Sequence, residues 1–115
     1  MKKILFLTGT RADFGKLKPL IRVTSDVYKT TIFATGMHML AKYGMTCYEI
    51  ERSGFEYYPF INQDGNTPMD MVLRNTIEGL SYYLREHSTD LLVIHGDRVE
   101  ALAGACVGAL NNVLD

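Results

Sequence analysis

The sequence of 115 residues contains only two cysteines, Cys47 and Cys106, and neither has a partner at C-x-x-C spacing. That excludes a disulfide scaffold, offers no zinc-site pattern, and fits a reduced, cytoplasmic setting. No apolar run approaches the ~20 residues of a membrane span. The opening MKKILFLTGTRAD resembles a signal peptide only superficially, because its apolar part ends at Thr8, short of the roughly 7 to 15 residues of a signal core. It reads as a buried first strand. An excess of one charge is missing too: twelve Lys plus Arg face thirteen Asp plus Glu, for a net charge of −1. That balance argues against a dedicated nucleic-acid binder. Neither G-x-G-x-x-G nor G-K-[ST] occurs, so the dinucleotide fingerprint and the P-loop are both absent.

What is present is an ordinary globular composition, 47% hydrophobic and 22% charged, in a length suited to one domain with a sizeable core. The charge is unevenly spread. The first 29 residues hold seven Lys or Arg against Asp13 and Asp26, a local +5 that suits a small phosphate ligand.

The run Ile4-Leu5-Phe6-Leu7 is continuously apolar, the pattern of a strand covered on both faces of a parallel sheet. Phe14, Leu17, Leu20 and Ile21 then recur at helical spacing, and Pro19 suits a helix that begins near Gly15. Residues 29–35 (KTTIFAT) read as a second strand, and residues 55–60 (FEYYPF) as a third that Pro59 confines to an edge or terminates. Between them the signal predicts one or two short helices broken at Gly44. Residues 62–67 (NQDGNT) form a loop by composition, and the 3.6-residue periodicity from Met69 to Leu84 predicts a helix over 69–86. Leu91-Leu92-Val93-Ile94 is a second doubly covered strand. A small-residue helix carrying Ala101, Gly104, Ala105 and Gly108 follows, with Asn111-Asn112 ending it and a further strand starting at Val113. The methionines read as core filler. Alternating strands and helices of this kind predict a doubly wound, mostly parallel α/β sheet, Rossmann-like, whose ligands sit at the carboxyl ends of the strands.

Two loops occupy that position. Residues 8–15 (TGTRADFG) place Arg11, two hydroxyls, Gly9 and Gly15 between a strand and a helix N-terminus, where free N–H groups attract an anion and glycine admits close backbone approach. The alternative is a polar turn in which Asp13 pairs with Arg11 or caps the helix. Residues 95–100 (HGDRVE) gather His95, Asp97, Arg98 and Glu100. Asp97 and Glu100, three apart, are candidates for acid–base chemistry; equally, Asp97 as N-cap with Glu100 at N3 makes a capping box. His38, just after the second strand, and His95 are candidate wall residues of the same cleft. Residues 64–66 read as a plain turn.

Leu7-Thr8-Gly9-Thr10-Arg11-Ala12-Asp13-Phe14, taken with His95-Gly96-Asp97-Arg98-Val99-Glu100-Ala101-Leu102-Ala103, resembles the hydrolysing UDP-N-acetylglucosamine 2-epimerases of sialic-acid biosynthesis. The non-hydrolysing epimerases share the G-T-R turn but typically follow it with P-E and carry G-D-T in place of G-D-R. The resemblance implies the N-terminal Rossmann-like half of a two-domain fold of the GT-B type, with residues 1–115 a truncated first domain and the second domain absent. It implies a UDP-sugar as partner, with no nucleic acid, no membrane and no cofactor or metal, and a homo-oligomer at full length. Arg11 and Arg98 would lie near the diphosphate, Gly15 would offer a backbone contact, and Asp97 would be an active-site carboxylate. The implied reaction removes the C2 proton, expels UDP from C1 and adds water to give N-acetylmannosamine. A related epimerase acting on a UDP-2,4-diacetamido sugar, a GT-B glycosyltransferase and a non-catalytic nucleotide-sugar binding module are the alternatives.

Overall fold

The computed structural model describes residues 2–40, 47–96 and 98–114. Four strands, β1 (Lys3–Thr8), β2 (Lys29–Ala34), β3 (Tyr57–Pro59) and β4 (Leu91–Ile94), alternate with the helices α1 (Arg11–Val27), α2 (Cys47–Arg52), α3 (Met69–Glu86) and α4 (Val99–Leu110). A 3-10 turn over Gly36–Met39 follows β2. The sheet order is β3-β2-β1-β4 and every pairing is parallel. Leu114 adds one parallel bridge to Leu91 on the outer edge of β4, where the sequence predicts a further strand.

The continuous apolar runs are explained by two cores, one on each face of the sheet. Ile4, Phe6, Ile32 and Ala34 point to one face and meet Phe14, Leu17 and Ile21 of α1 and Ile50 of α2. Leu5, Leu7, Phe33 and Leu92 point to the other and meet Leu80 and Tyr83 of α3 and Val107 of α4. Successive residues of one strand thus serve opposite faces, and neither face can be polar. Each fully buried Phe or Ile contributes roughly 1.5–3 kcal/mol of transfer free energy. The chain therefore forms the expected doubly wound parallel sheet. It winds outward from β1 through β2 to β3, then crosses to the other side of β1 to place β4. That reversal makes the gap between the ends of β1 and β4 the switch point, where the departing helices diverge to opposite faces and leave a crevice.

Three local expectations are corrected. α1 begins at Arg11 rather than near Gly15, because Thr10 is the N-cap, its Oγ1 accepting from the Asp13 N–H at 3.1 Å. Pro19 consequently lies inside the helix, where it offers no N–H to the Gly15 carbonyl; both residues are exposed, so water can take that bond. α4 begins at Val99 with Arg98 as its N-cap and no side-chain cap bond, so Glu100 falls at N2 rather than the N3 that a capping box requires. The third concerns methionine: Met37, Met39 and Met71 are half-buried and Met69 is exposed, so these four are no core filler. The third strand is an edge strand that ends at Pro59, as predicted. Helix α4 closes with Asn112 at φ 58, the Asn112 N–H donating to Ala109 and the Val113 N–H to Gly108, a Schellman ending in which asparagine takes the left-handed position.

Candidate active site

The connection from β1 to α1 is only Gly9 and Thr10. Such a short link sets the mouth of α1 directly above the end of β1, with the N–H groups of Arg11 and Ala12 lacking intrahelical partners. Gly9 is buried beneath this mouth and Gly15 is exposed one turn into the helix. The Arg11 side chain is largely exposed, and its Nε lies 3.1 Å from Glu49 of α2; the pairing with Asp13 weighed from sequence is replaced by this one. Arg11 and Gly15 line one end of an open groove of about 510 Å³, which continues past Phe14, Lys18, Arg22 and Arg52.

Across the switch point, β4 ends at Ile94 and turns at Gly96, whose φ of 111° is left-handed. A Cβ there would also come 3.2 Å from Asp13 Oδ1, so the turn suits glycine twice over. Asp13 Oδ1 stands 3.6 Å from His95 Nδ1. This contact joins the two sequence motifs: Asp13 belongs to the first, His95 to the second. Asp97, the acid singled out from sequence, lies outside the described residues.

Glu100 is the least expected member. The residue is only 3% exposed, and an uncompensated buried carboxylate costs several kcal/mol. Compensation comes from three directions. Asn62 Nδ2 donates to Glu100 Oε2 at 3.0 Å, the Arg98 Nε faces Oε1 at 3.4 Å, and the N-terminus of α4 contributes partial positive charge. Asn62 is itself buried: Nδ2 also donates to Thr76 Oγ1 at 2.8 Å, and Oδ1 accepts from the Gly36 N–H at 3.2 Å. Gly36 has φ 62°, and a Cβ there would sit 2.7 Å from the Gly9 carbonyl oxygen and 3.2 Å from Glu100 Oε2. Glu100 is therefore packed under the ends of β1 and β2, its carboxyl group withdrawn from solvent.

His38 is also found underneath. Expected as a wall residue, it is fully buried, with Nε2 3.0 Å from Thr8 Oγ1 and the ring edge-on to Phe14. The Thr8 hydroxyl donates to the Thr10 carbonyl at 3.3 Å, which leaves its oxygen to accept from the imidazole. Burial pushes the His38 pKa down to about 4, against the opposing pull of Asp13, Glu49 and the Thr10 backbone. The imidazole is thus a neutral prop beneath the 8–10 backbone.

Sequence reasoning passed over Asn62 and Glu49, and gave Thr10, one of the two hydroxyls of the first loop, no capping role. Asn62 lies in a segment whose composition reads only as loop, and nothing in NQDGNT distinguishes its first asparagine as buried. Asp64 in the same loop does form the expected plain turn, accepting from the Asn66 N–H and the Thr67 hydroxyl. A cavity of about 130 Å³ between Lys3, Lys29, Tyr58, Tyr83 and His87 opens at the opposite end of the strands.

Residues 22–114 match the family described as UDP-N-acetylglucosamine 2-epimerase. The chain belongs to this family. The matched span includes the 95–100 loop; the 8–15 loop precedes it and is covered by individual relatives. One, a UDP-N-acetylglucosamine 2-epimerase of Neisseria meningitidis serogroup B, is 49% identical over 99% of the chain and 31% of its own length. A UDP-N,N'-diacetylbacillosamine 2-epimerase (hydrolyzing) of Legionella pneumophila is 29% identical over 98% of the chain and 32% of its own length. The chain thus spans about a third of these curated relatives. Among solved structures, a UDP-GlcNAc 2-epimerase from Neisseria meningitidis bound to UDP-GlcNAc superposes with a TM-score of 0.81 at 19% identity, covering 96% of this chain and 30% of that one. At that identity the likeness is one of fold, and it agrees with the Rossmann-like half of a GT-B architecture. Among the described residues, no helix of this 2-epimerase family member is long and apolar enough to cross a membrane.

Proposed function

We propose that this chain is the N-terminal nucleotide-sugar half of a hydrolysing UDP-N-acetylglucosamine 2-epimerase, which converts UDP-GlcNAc and water to N-acetylmannosamine and UDP. The observation that carries the reading is the meeting of the two family-like motifs, 8–15 and 95–100, at the β1/β4 switch point, joined by the Asp13–His95 contact. A second domain, beyond the third of the relatives' length represented here, closes the cleft and supplies the remaining acids and uridine contacts.

In this reading a base removes the C2 proton while the C1–O bond breaks, its electrons leaving on UDP and a 2-acetamidoglycal remaining. Water then adds at C1 and a proton at C2 on the opposite face. The departing diphosphate gathers charge, and cations beside it stabilise the transition state more than the ground state. Arg11 and Arg98 supply those cations, with the N–H groups at the mouth of α1 and the Gly9 and Gly15 backbone beside them. Asp97 is the carboxylate assigned to the reacting sugar or to the group that acts on it. The hydrolysing outcome is supported by the R-A-D and G-D-R sequences, which differ from the P-E and G-D-T typical of non-hydrolysing epimerases, and by the name of the Legionella relative.

The test is turnover by the full-length enzyme in isotopic water. Elimination and readdition place one solvent deuterium at C2 of the released sugar, and C1–O cleavage leaves the released UDP free of oxygen-18. Label in UDP would mean attack at phosphorus, and a sugar without C2 deuterium would exclude the epimerase chemistry. Release of a diacetamido sugar from the corresponding nucleotide, with UDP-GlcNAc inert, would move the assignment to the enzyme type of the Legionella relative.

A further inference from the structure

The buried network Thr76–Asn62–Glu100 has no part in the scheme above, although it ends against Arg98, one of the two arginines. Asn62 uses both Nδ2 hydrogens and an Oδ1 lone pair on fixed partners: Thr76 on α3, Glu100 on α4 and the Gly36 backbone after β2. Thr76 is anchored in turn, donating to the Val72 carbonyl at 2.7 Å, and Asn75 Nδ2 donates to the Asn62 carbonyl at 3.0 Å. This leaves the Asn62 amide one orientation, and the amide fixes Oε2 of Glu100. With Oε2 fixed, Oε1 faces the Arg98 Nε at 3.4 Å, and both atoms are buried without a hydrogen bond of good geometry. The Arg98 Nε is thus backed by a buried carboxylate oxygen as an ion pair, while its side chain remains one-third exposed. A guanidinium with a carboxylate against its inner edge keeps its outer edge for an anion.

We infer that Asn62 and Glu100 are positioning residues that hold the Arg98 guanidinium ready for the departing diphosphate. The inference rests on the proposed epimerase reading for the identity of the anion; the hold on Arg98 is a property of this chain. It also assigns Glu100 to work through Arg98 rather than on the sugar, consistent with its 3% exposure.

The experiment is a double-mutant cycle in the full-length enzyme, with Asn62→Ala and Glu100→Gln each made in the wild-type and Arg98→Ala backgrounds, read as kcat and KM for UDP-GlcNAc. With Arg98 present, each substitution is expected to lower kcat by about 10- to 100-fold, the scale of one charged hydrogen bond, with KM changed much less. With Arg98 already removed, the same substitutions should lower kcat by less than about threefold. Equal losses in both backgrounds would show a merely structural role and overturn the inference. Glu100→Gln keeps the side chain's shape, so it decides the question where Asn62→Ala fails to fold. A second readout needs no turnover: in arginine-15N-labelled protein the Arg98 Nε–H should exchange slowly with water, and at least tenfold faster in Glu100→Gln. Unchanged exchange would overturn the hold on Arg98 even in an active enzyme, whereas a wild-type enzyme inert to UDP-GlcNAc but with the exchange effect intact would refute only the substrate assignment.

Discussion

Acid should unfold this protein partly through one side chain. His38 is fully buried, and its pKa falls from 6.5 to about 4 because burial disfavours the imidazolium. The folded pKa lies below the unfolded one, so the unfolded chain takes up the proton first. The stabilisation is complete above pH 6.5 and is lost as pH falls towards 4. A difference of about 2.5 units is worth about 3 kcal/mol in the limit, at roughly 1.4 kcal/mol per unit. At pH 5.5 the unfolded histidine is about 90% charged and the folded one almost wholly neutral, which places the loss there at about 1.4 kcal/mol relative to pH 7.5.

The assay is urea unfolding at pH 7.5 and 5.5, a window chosen because most carboxylates stay ionised within it. His38→Gln loses the bond to Thr8 and should be less stable at both values, but its change between them should be about 1.4 kcal/mol smaller than wild type's. Independently, the His38 ring protons should keep their neutral shifts in NMR spectra down to about pH 5, as a site with a depressed pKa requires. Equal pH slopes in wild type and variant, or a His38 ring titrating near 6.5, would refute the reasoning.

Arg11→Ala and Arg98→Ala in the full-length enzyme should each weaken nucleotide-sugar use by roughly 1.5–3 kcal/mol in kcat/KM, the scale of a charged hydrogen bond; wild-type kinetics would remove that residue from the site. Asp97→Asn should lower kcat by about 10²- to 10⁴-fold with little change in Tm, the range of a lost acid–base group; near-normal turnover would leave Asp97 no chemical role. Glycine-to-alanine changes in helices should part in sign: Gly15→Ala, with nothing within 4 Å of the new Cβ, should stabilise by about 0.5–1 kcal/mol. Gly79→Ala should destabilise by about 1–3 kcal/mol through overpacking, because its Cβ would lie 2.3 Å from the Phe60 ring. Both are read from urea midpoints at constant m-value.

The sheet was legible because a doubly covered strand leaves an unmistakable trace: ILFL and LLVI have no alternating polar face, and they proved to be the adjacent strands β1 and β4. Helix α3 was legible to the residue, since seven apolar positions and Thr76 at one period outvote any local exception. α1 was misplaced at its start because Pro19 was given the first turn, whereas an exposed proline next to an exposed carbonyl is tolerated in a helix interior. The motif loops were found from their residue types. The network beneath them was not, because Glu100 and Asn62 owe their burial to a fold that brings residues 36, 62 and 100 together across two crossovers, and no local pattern encodes that meeting.

The two arginines of the site are held by opposite physics, and the difference suits their proposed tasks. Arg11 is paired with Glu49 at the surface, where an ion pair is worth about 0–1 kcal/mol, so a phosphate can displace Glu49 at small cost. Arg98 is paired with a carboxylate that cannot reach water and that Asn62 holds still. Breaking that pair would strand a buried charge at a cost of about 3–5 kcal/mol, so the guanidinium stays where the fold puts it. A mobile cation can follow an incoming diphosphate into the crevice; a fixed one can favour the geometry in which the C1–O bond is already broken. On the proposed reading capture and catalysis would fall to different arginines, and the division would follow from burial: Glu49 lies on the short helix α2 near solvent, while Glu100 lies under the ends of β1 and β2.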